Sequence, residues 1–233
     1  MVIDFHCHIL PGFDDGSKNT QMSLEMLRKE RAQGVDRVIL TSHFYRDREE
    51  CGHFLKRRKA AFEHLLDAMQ KDGGDFPELK LGAEVAMCRS LAYEDLKPLC
   101  IEGTNTLLLE LPFEPMGSWF KDVQSIINSN SVKVVLAHVE RFRACLDKKS
   151  FEQVMALPVT KQINTTSLLK DGFFLKRQLF KLVESEQVHI LGTDAHNLDI
   201  RPVNIGDAME ILRKKGMEDQ LKAMMKKAEK LST

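Results

Sequence analysis

Short apolar blocks and longer amphipathic stretches alternate along the chain. The blocks at 2–5, 35–43, 79–85, 106–111, 132–139, 159–164 and 189–196 are dominated by Val, Ile and Leu and are too short for helices. They read as buried strands, the sixth more weakly than the others. Between them apolar positions recur at helical spacing. Met22, Met26, Leu27 and Ala32 do so up to Gly34, and Leu55, Phe62, Leu65, Leu66 and Met69 do so up to the stop at Asp72-Gly73-Gly74-Asp75. Segments 119–128 and 173–186 follow the same pattern, and two helices at about 204–215 and 218–231 close the chain. Strands alternating with helices imply parallel pairing through right-handed crossovers. Seven such strands, with no low-complexity linker, sequence repeat or boundary between them, predict an α/β chain of one domain, 1–233, whose sheet forms a barrel rather than staying open. No glycine-rich phosphate loop follows any strand, which argues against a dinucleotide fold.

Composition narrows the setting. The 233 residues carry 34 basic and 34 acidic side chains, a formal net charge of zero, so nothing global attracts nucleic acid or an anionic membrane. The apolar runs are far shorter than a membrane span, and a start containing His and Asp is unlike a secretory leader. Five cysteines without a C-x-x-C pair do not suggest a disulfide framework, and a reducing cytoplasm is the expected home. Residues 46–59 are mostly basic, which predicts the wet face of a helix or, alternatively, a contact for an acidic substrate.

The chemistry gathers where strands end. His6 and His8 stand two apart as the first strand runs out, a spacing that sends both imidazoles to the same side. Asp14 and Asp15 follow in a loop of turn formers, and at least one is a candidate ligand. His43 closes the second strand, Glu84 lies on the third, Glu110 sits among leucines on the fourth, His138 ends the fifth, and Asp194 and His196 repeat the spacing of the first pair. In a parallel barrel the working face lies at the C-terminal ends of the strands. His6, His8, Asp15, His43, Glu84, Glu110, His138, Asp194 and His196 would therefore share one mouth, whereas His53, His64 and His189 lie elsewhere. Mixed imidazole and carboxylate donors suit zinc, manganese or iron, and nine exceed what one ion can use, so two or three ions are expected.

The run from Asp4 to Gly16, Asp4-Phe5-His6-Cys7-His8-Ile9-Leu10-Pro11-Gly12-Phe13-Asp14-Asp15-Gly16, resembles the opening of the polymerase and histidinol phosphatase (PHP) superfamily. More narrowly, it is similar to the manganese-dependent tyrosine phosphatases of bacterial capsule and exopolysaccharide operons. Thr41-Ser42-His43, Gly82-Ala83-Glu84, Leu109-Glu110-Leu111-Pro112, Ala137 to Phe142, Thr193 to Asn197 and Arg201-Pro202 continue the match in order. The resemblance implies a distorted (β/α)7 barrel of PHP type with three divalent ions, manganese first, iron or zinc as alternatives. His6, His8, Glu84 and Asp194 would hold the first. Glu110 and His138 would hold the second with Glu84 bridging, and Asp15, His43 and His196 the third. Arg141 and Arg201 match the family's phosphate-binding arginines. Val139 departs from a common proline, and the charged segment after His43 departs from the family pattern.

Such ions acidify bound water, and in-line attack of the resulting hydroxide on phosphorus would expel the alcohol. A phenolate, with a parent pKa near ~10, leaves with less help from an acid than an alkoxide does; a metal-bound water or His43 is the candidate acid. The implied substrate is the phosphotyrosine tail of a bacterial tyrosine kinase. Three other readings stay open. One is a small-molecule phosphatase of histidinol-phosphatase type, and another is a non-catalytic barrel that binds a kinase. In the third, a cysteine phosphatase, Cys51 to Arg57 spells C-x5-R, but without the small interior of a phosphate loop. The oligomeric state is open.

Overall fold

Among the described residues, nine short strands pair in parallel throughout. The computed structural model describes residues 1–129 and 131–233. The strands are β1 (Ile3–Cys7), β2 (Arg37–Leu40), β3 (His43–Phe44), β4 (Glu78–Leu81), β5 (Glu84–Ala86), β6 (Thr106–Glu110), β7 (Lys133–Leu136), β8 (Thr160–Asn164) and β9 (Ile190–Gly192). The second and third expected strands are each broken in two, so β1-β2-β4 form one sheet and β3-β5-β6-β7-β8-β9 the other. The breaks have local causes. Thr41 remains tied to the end of β1, its N–H donating to the Cys7 carbonyl. Ahead of β5, the Glu84 N–H turns to the carbonyls of Thr41 and Ser42. The sheet curls until its last segment meets its first: the Asp194 N–H donates to the His6 carbonyl and the His8 N–H to the Ala195 carbonyl.

Helices α1 (Thr20–Ala32), α2 (Cys51–Asp72), α3 (Trp119–Asn128), α4 (Lys148–Met155), α5 (Thr165–Lys170), α6 (Phe173–Glu184), α7 (Ile205–Lys214) and α8 (Glu218–Leu231) connect the strands or close the chain. The Asn19 side chain caps α1 by accepting from the Met22 N–H, which satisfies one of the four free donors of its first turn. The last two helices bury residues at helical spacing, Ile205, Ala208, Met209 and Leu212 on α7 and Leu221, Met224, Ala228 and Leu231 on α8. The short α4 and α5 carry too little periodic signal to stand out in the sequence.

Alternation along the strands splits the core into two clusters. Val38, Leu40, Leu107, Leu109, Val134, Leu136 and Leu191 pack outward against the helices. Ile3, Phe5, Ile39, Leu108, Val135, Ala137 and Ile190 pack against one another inside the curl, with Ile101, Ala228 and Leu231. This inner plug is the floor on which the candidate site rests. The basic run at 46–59 is not simply a wet face. Arg58 is buried and donates to the Gly82 and Pro98 carbonyls, Arg46 pairs with Glu94 and Glu50, and Arg57 pairs with Glu49.

Candidate metal centre

The first constraint on the site is a matter of parity. Phe5 points into the plug, so a regular strand would send His6 outward. Instead the β1–β2 ladder slips between Asp4 and Cys7, three residues of β1 spanning two of β2. This bulge turns His6 inward beside Phe5 and leaves His8 on the same side. The Asp4 carboxylate fastens the bulge, accepting from the backbone N–H groups of His6 and Thr193 and from the Thr193 hydroxyl. His138 presents the same problem after Ala137 and solves it with a left-handed backbone, φ 29°. Asp194 is also left-handed, φ 53°. Backbone strain of this kind concentrates where side chains must be aimed.

All nine expected donor residues converge. The His6 and His8 Nε2 atoms lie 3.1 Å apart, and each is 3.2 Å from Glu84 Oε2. Asp194 Oδ1 is 3.6 and 3.5 Å from the same two nitrogens. The His138 Nε2 is 2.8 Å from Glu84 Oε1 and 3.3 Å from Glu110 Oε1. Asp15 Oδ1 stands 3.4 Å from both His43 Nε2 and His196 Nε2, while His43 Nδ1 is 3.0 Å from Glu84 Oε2. His43 thus touches two of the three groups the resemblance kept apart, and His8 belongs with Asp15, His43 and His196 as well as with His6, Glu84 and Asp194. Glu84 Oε2, His43 Nδ1 and His196 Nε2 are buried without a hydrogen-bond partner. Oxygen and imidazole donors crowded together with unused lone pairs fit divalent cations of the borderline kind.

A ring of supporting groups fixes which nitrogen faces inward. Asp14 Oδ2 accepts from His8 Nδ1 at 2.9 Å and from the His43 N–H. His196 Nδ1 donates to the Asp194 carbonyl, and Gln162 Oε1 accepts from His6 Nδ1 and from the His138 N–H. Gln162 in turn donates to Asn164, which donates to Asp194 Oδ2. Each Nε2 of His6, His8 and His196 is thereby left for the centre. Gln162 and Asn164 escaped sequence reasoning. Their signal was two buried amides at a spacing of two on the weakest strand, where apolar residues would be expected. Two glycines permit the close approach: a Cβ on Gly192 would lie 2.6 Å from His6 Cβ, and one on Gly16 2.2 Å from the His8 carbonyl oxygen.

Electrostatics follow from this packing. Burial opposes ionisation of Glu84, but the His6 ring, the hydrogen-bonded His138 and the close-lying His43 hold it well below the usual carboxylate range. Burial also opposes a charged His8, yet Asp14 and Glu84 raise that ring to about 10, and Glu110 and Glu84 raise His138 to about 9. His196 is pushed down to about 4 by burial and by His8. Divalent cations would compete with protons for these atoms. Arg141 and Arg201, each about one-third exposed, both pair with Asp194 Oδ2, at 2.7 and 2.5 Å. Phe113 stacks on His138 across the mouth, ring centroids 5.8 Å apart. The C-x5-R reading gains no support: burial raises the Cys51 thiol, and Arg57 is occupied by Glu49.

A curled parallel sheet with imidazoles and carboxylates at its C-terminal strand ends defines a known class of α/β proteins. Its fold is shared with histidinol phosphate phosphatase from Lactococcus lactis (TM-score 0.56, 14% identity, 97% of this chain and 93% of that one). Within that class, residues 2–231 match the family described as Capsular polysaccharide synthesis, CpsB/CapC, and the chain belongs to it. The tyrosine-protein phosphatase YwqE of Bacillus subtilis is 29% identical over 91% of this chain and 84% of its own length. CpsB of Streptococcus pneumoniae is 27% identical over 92% and 90%. The crystal structures of these two, described as metal-dependent tyrosine phosphatases, include a match with a TM-score of 0.85 at 25% identity, covering 99% of this chain and 94% of that one.

Proposed function

We propose that this chain is a metal-dependent protein-tyrosine phosphatase of capsule or exopolysaccharide control. In this reading residues 1–233 act as one domain, a distorted seven-stranded barrel, working in the cytoplasm on the phosphorylated tail of a bacterial tyrosine kinase. The observation that carries it is the convergence of nine donors beside two arginines about one-third exposed, in a chain of the CpsB/CapC family. His6, His8, Glu84 and Asp194 would hold one ion. Glu110 and His138 would share a second with Glu84, and Asp15, His43 and His196 would hold a third, manganese being the proposed metal. Bound ions supply Lewis-acid charge that acidifies water and polarises phosphoryl oxygens.

The chain's own groups do the rest. Asp194 aims both guanidinium groups with one oxygen, so Arg141 and Arg201 present their remaining N–H donors as a preset fork for a phosphoryl group. Asp14 and Gln162 keep the rings of His8 and His6 from rotating. His43, at 15% side-chain exposure, stands nearest solvent among the five rings, at the open edge of the centre. A panel of phosphotyrosine peptide, phosphoserine peptide and histidinol phosphate under manganese tests the reading. Preference for the first is expected, and preference for histidinol phosphate would replace it. Arg201→Ala should depress turnover while leaving metal content intact.

A further inference from the structure

Eight large apolar side chains are strongly exposed among the described residues, and six lie in segments that leave the C-terminal ends of strands. Three of those six are consecutive. Phe173, Phe174 and Leu175 open α6, with the two phenylalanines 72% and 76% exposed. Surfaces of this kind mark contact sites rather than accidents of composition. The ledge follows the mouth along the chain: β8 ends at Asn164, which holds Asp194, and α5, whose Ser167 hydroxyl donates to Glu140 beside Arg141, leads from there to Phe173. From Phe173 a groove of about 500 Å³ runs between α6 and α7, over Phe180 and Ile211. Lys176, Arg177, Lys181 and Lys215 line it against the single acid Glu184, and none of the four forms an ion pair among the described residues. On a chain of zero net charge, this is a local cationic strip with an apolar floor.

We propose that the ledge of Phe173, Phe174 and Leu175, with the basic groove behind it, docks the polypeptide flanking the phosphotyrosine, and selects flanks that combine acidic and apolar residues. The occupant follows from continuity with the mouth and from charge. A chain whose phosphate lies on Arg141 and Arg201 passes the ledge on leaving, and acidic side chains complement the four cations. The inference rests on the phosphotyrosine reading above, and the two can fail separately.

The test uses the full metal-loaded chain and two measurements. One is turnover of p-nitrophenyl phosphate, which has no flanks. The other is binding, by fluorescence anisotropy, of a short acidic and apolar peptide carrying a non-hydrolysable phosphotyrosine analogue. A double variant, Phe173→Ser with Phe174→Ser, should weaken the peptide roughly tenfold, as expected for losing two aromatic anchors, and leave p-nitrophenyl phosphate turnover unchanged. Lys176→Glu with Arg177→Glu should weaken the same peptide and flatten its salt dependence. Unchanged peptide affinity in both variants would overturn the proposal, as would equal losses in both assays. A fall in molar mass of the serine variant by light scattering would assign the ledge to a second copy of the chain. Wild-type binding to phosphatidylserine vesicles, lost in the variant and not displaced by the peptide, would assign it to a lipid surface. Failure of p-nitrophenyl phosphate turnover alone would count against the phosphatase reading, with the binding measurement still deciding the ledge.

Discussion

The two halves of the sheet interior are built by the same strands and are equally buried, yet they obey different rules. In the lower half Ile3, Phe5, Ile39, Leu108, Val135 and Ile190 alternate regularly and need only fill space. In the upper half His6, Glu84, His138 and Asp194 occupy the same depth with ionisable groups, and the backbone there bulges, breaks and twice turns left-handed. Apolar packing tolerates regular geometry because it is not directional. Donors that must face one point within hydrogen-bonding distance do not, so the irregularities sit where the chemistry sits. The lower half supplies stability, and the upper half spends some of it on aim.

That contrast can be broken from either side. Glu84→Ala removes the carboxylate shared by His6, His8, His43 and His138. It should cut turnover by about a thousandfold or more and lower metal content, since ligand loss exceeds the cost of losing a supporting residue, while circular dichroism still shows a folded chain. Leu108→Ala should do the reverse. A denaturant titration should show a loss of about 2–5 kcal/mol, with turnover per folded molecule within about twofold; a collapse of activity at full stability would erase the distinction between the halves. Gln162→Ala frees the His6 ring without touching the centre directly, and metal affinity should fall by about ten- to a hundredfold, read by competition with a chelator.

The smallest effect concerns a histidine outside the centre. Burial, with Lys161 and Lys227 nearby, lowers His189 to about 4, and its Nδ1 accepts the Lys161 N–H. Because the folded-state value lies below the unfolded one, the unfolded chain takes up the proton first. The stability tied to the neutral ring is therefore present above about pH 6.5 and lost as pH falls toward 4. Melting temperatures of His189→Asn, which keeps an acceptor, should fall less across that interval than those of the wild type. Parallel curves would remove His189 from the acid sensitivity.

The alternation of elements was legible in the residues because each signal is local. A period of two or of 3.6 is written into adjacent positions, and the helix at 119–128 appears with those bounds. The convergence of donors was legible too, because parallel strands joined by helices all end at one face. Arg58 was misread because its charge says nothing of the two carbonyls that wait for it inside. Gln162 and Asn164 were missed because an amide becomes a support only when a distant ring needs an acceptor.

What the sequence determined by itself was therefore the alternation of strands with the longer helices and the chemical identity of the groups at the strand ends. Only the tertiary structure decided where they point. The bulge at His6 exists because β2 offers two residues against three, and Asp4 reaches Thr193 to hold it. His138 turns because its N–H finds Gln162. Those bonds join residues from 24 to 189 positions apart, a separation that no local pattern encodes.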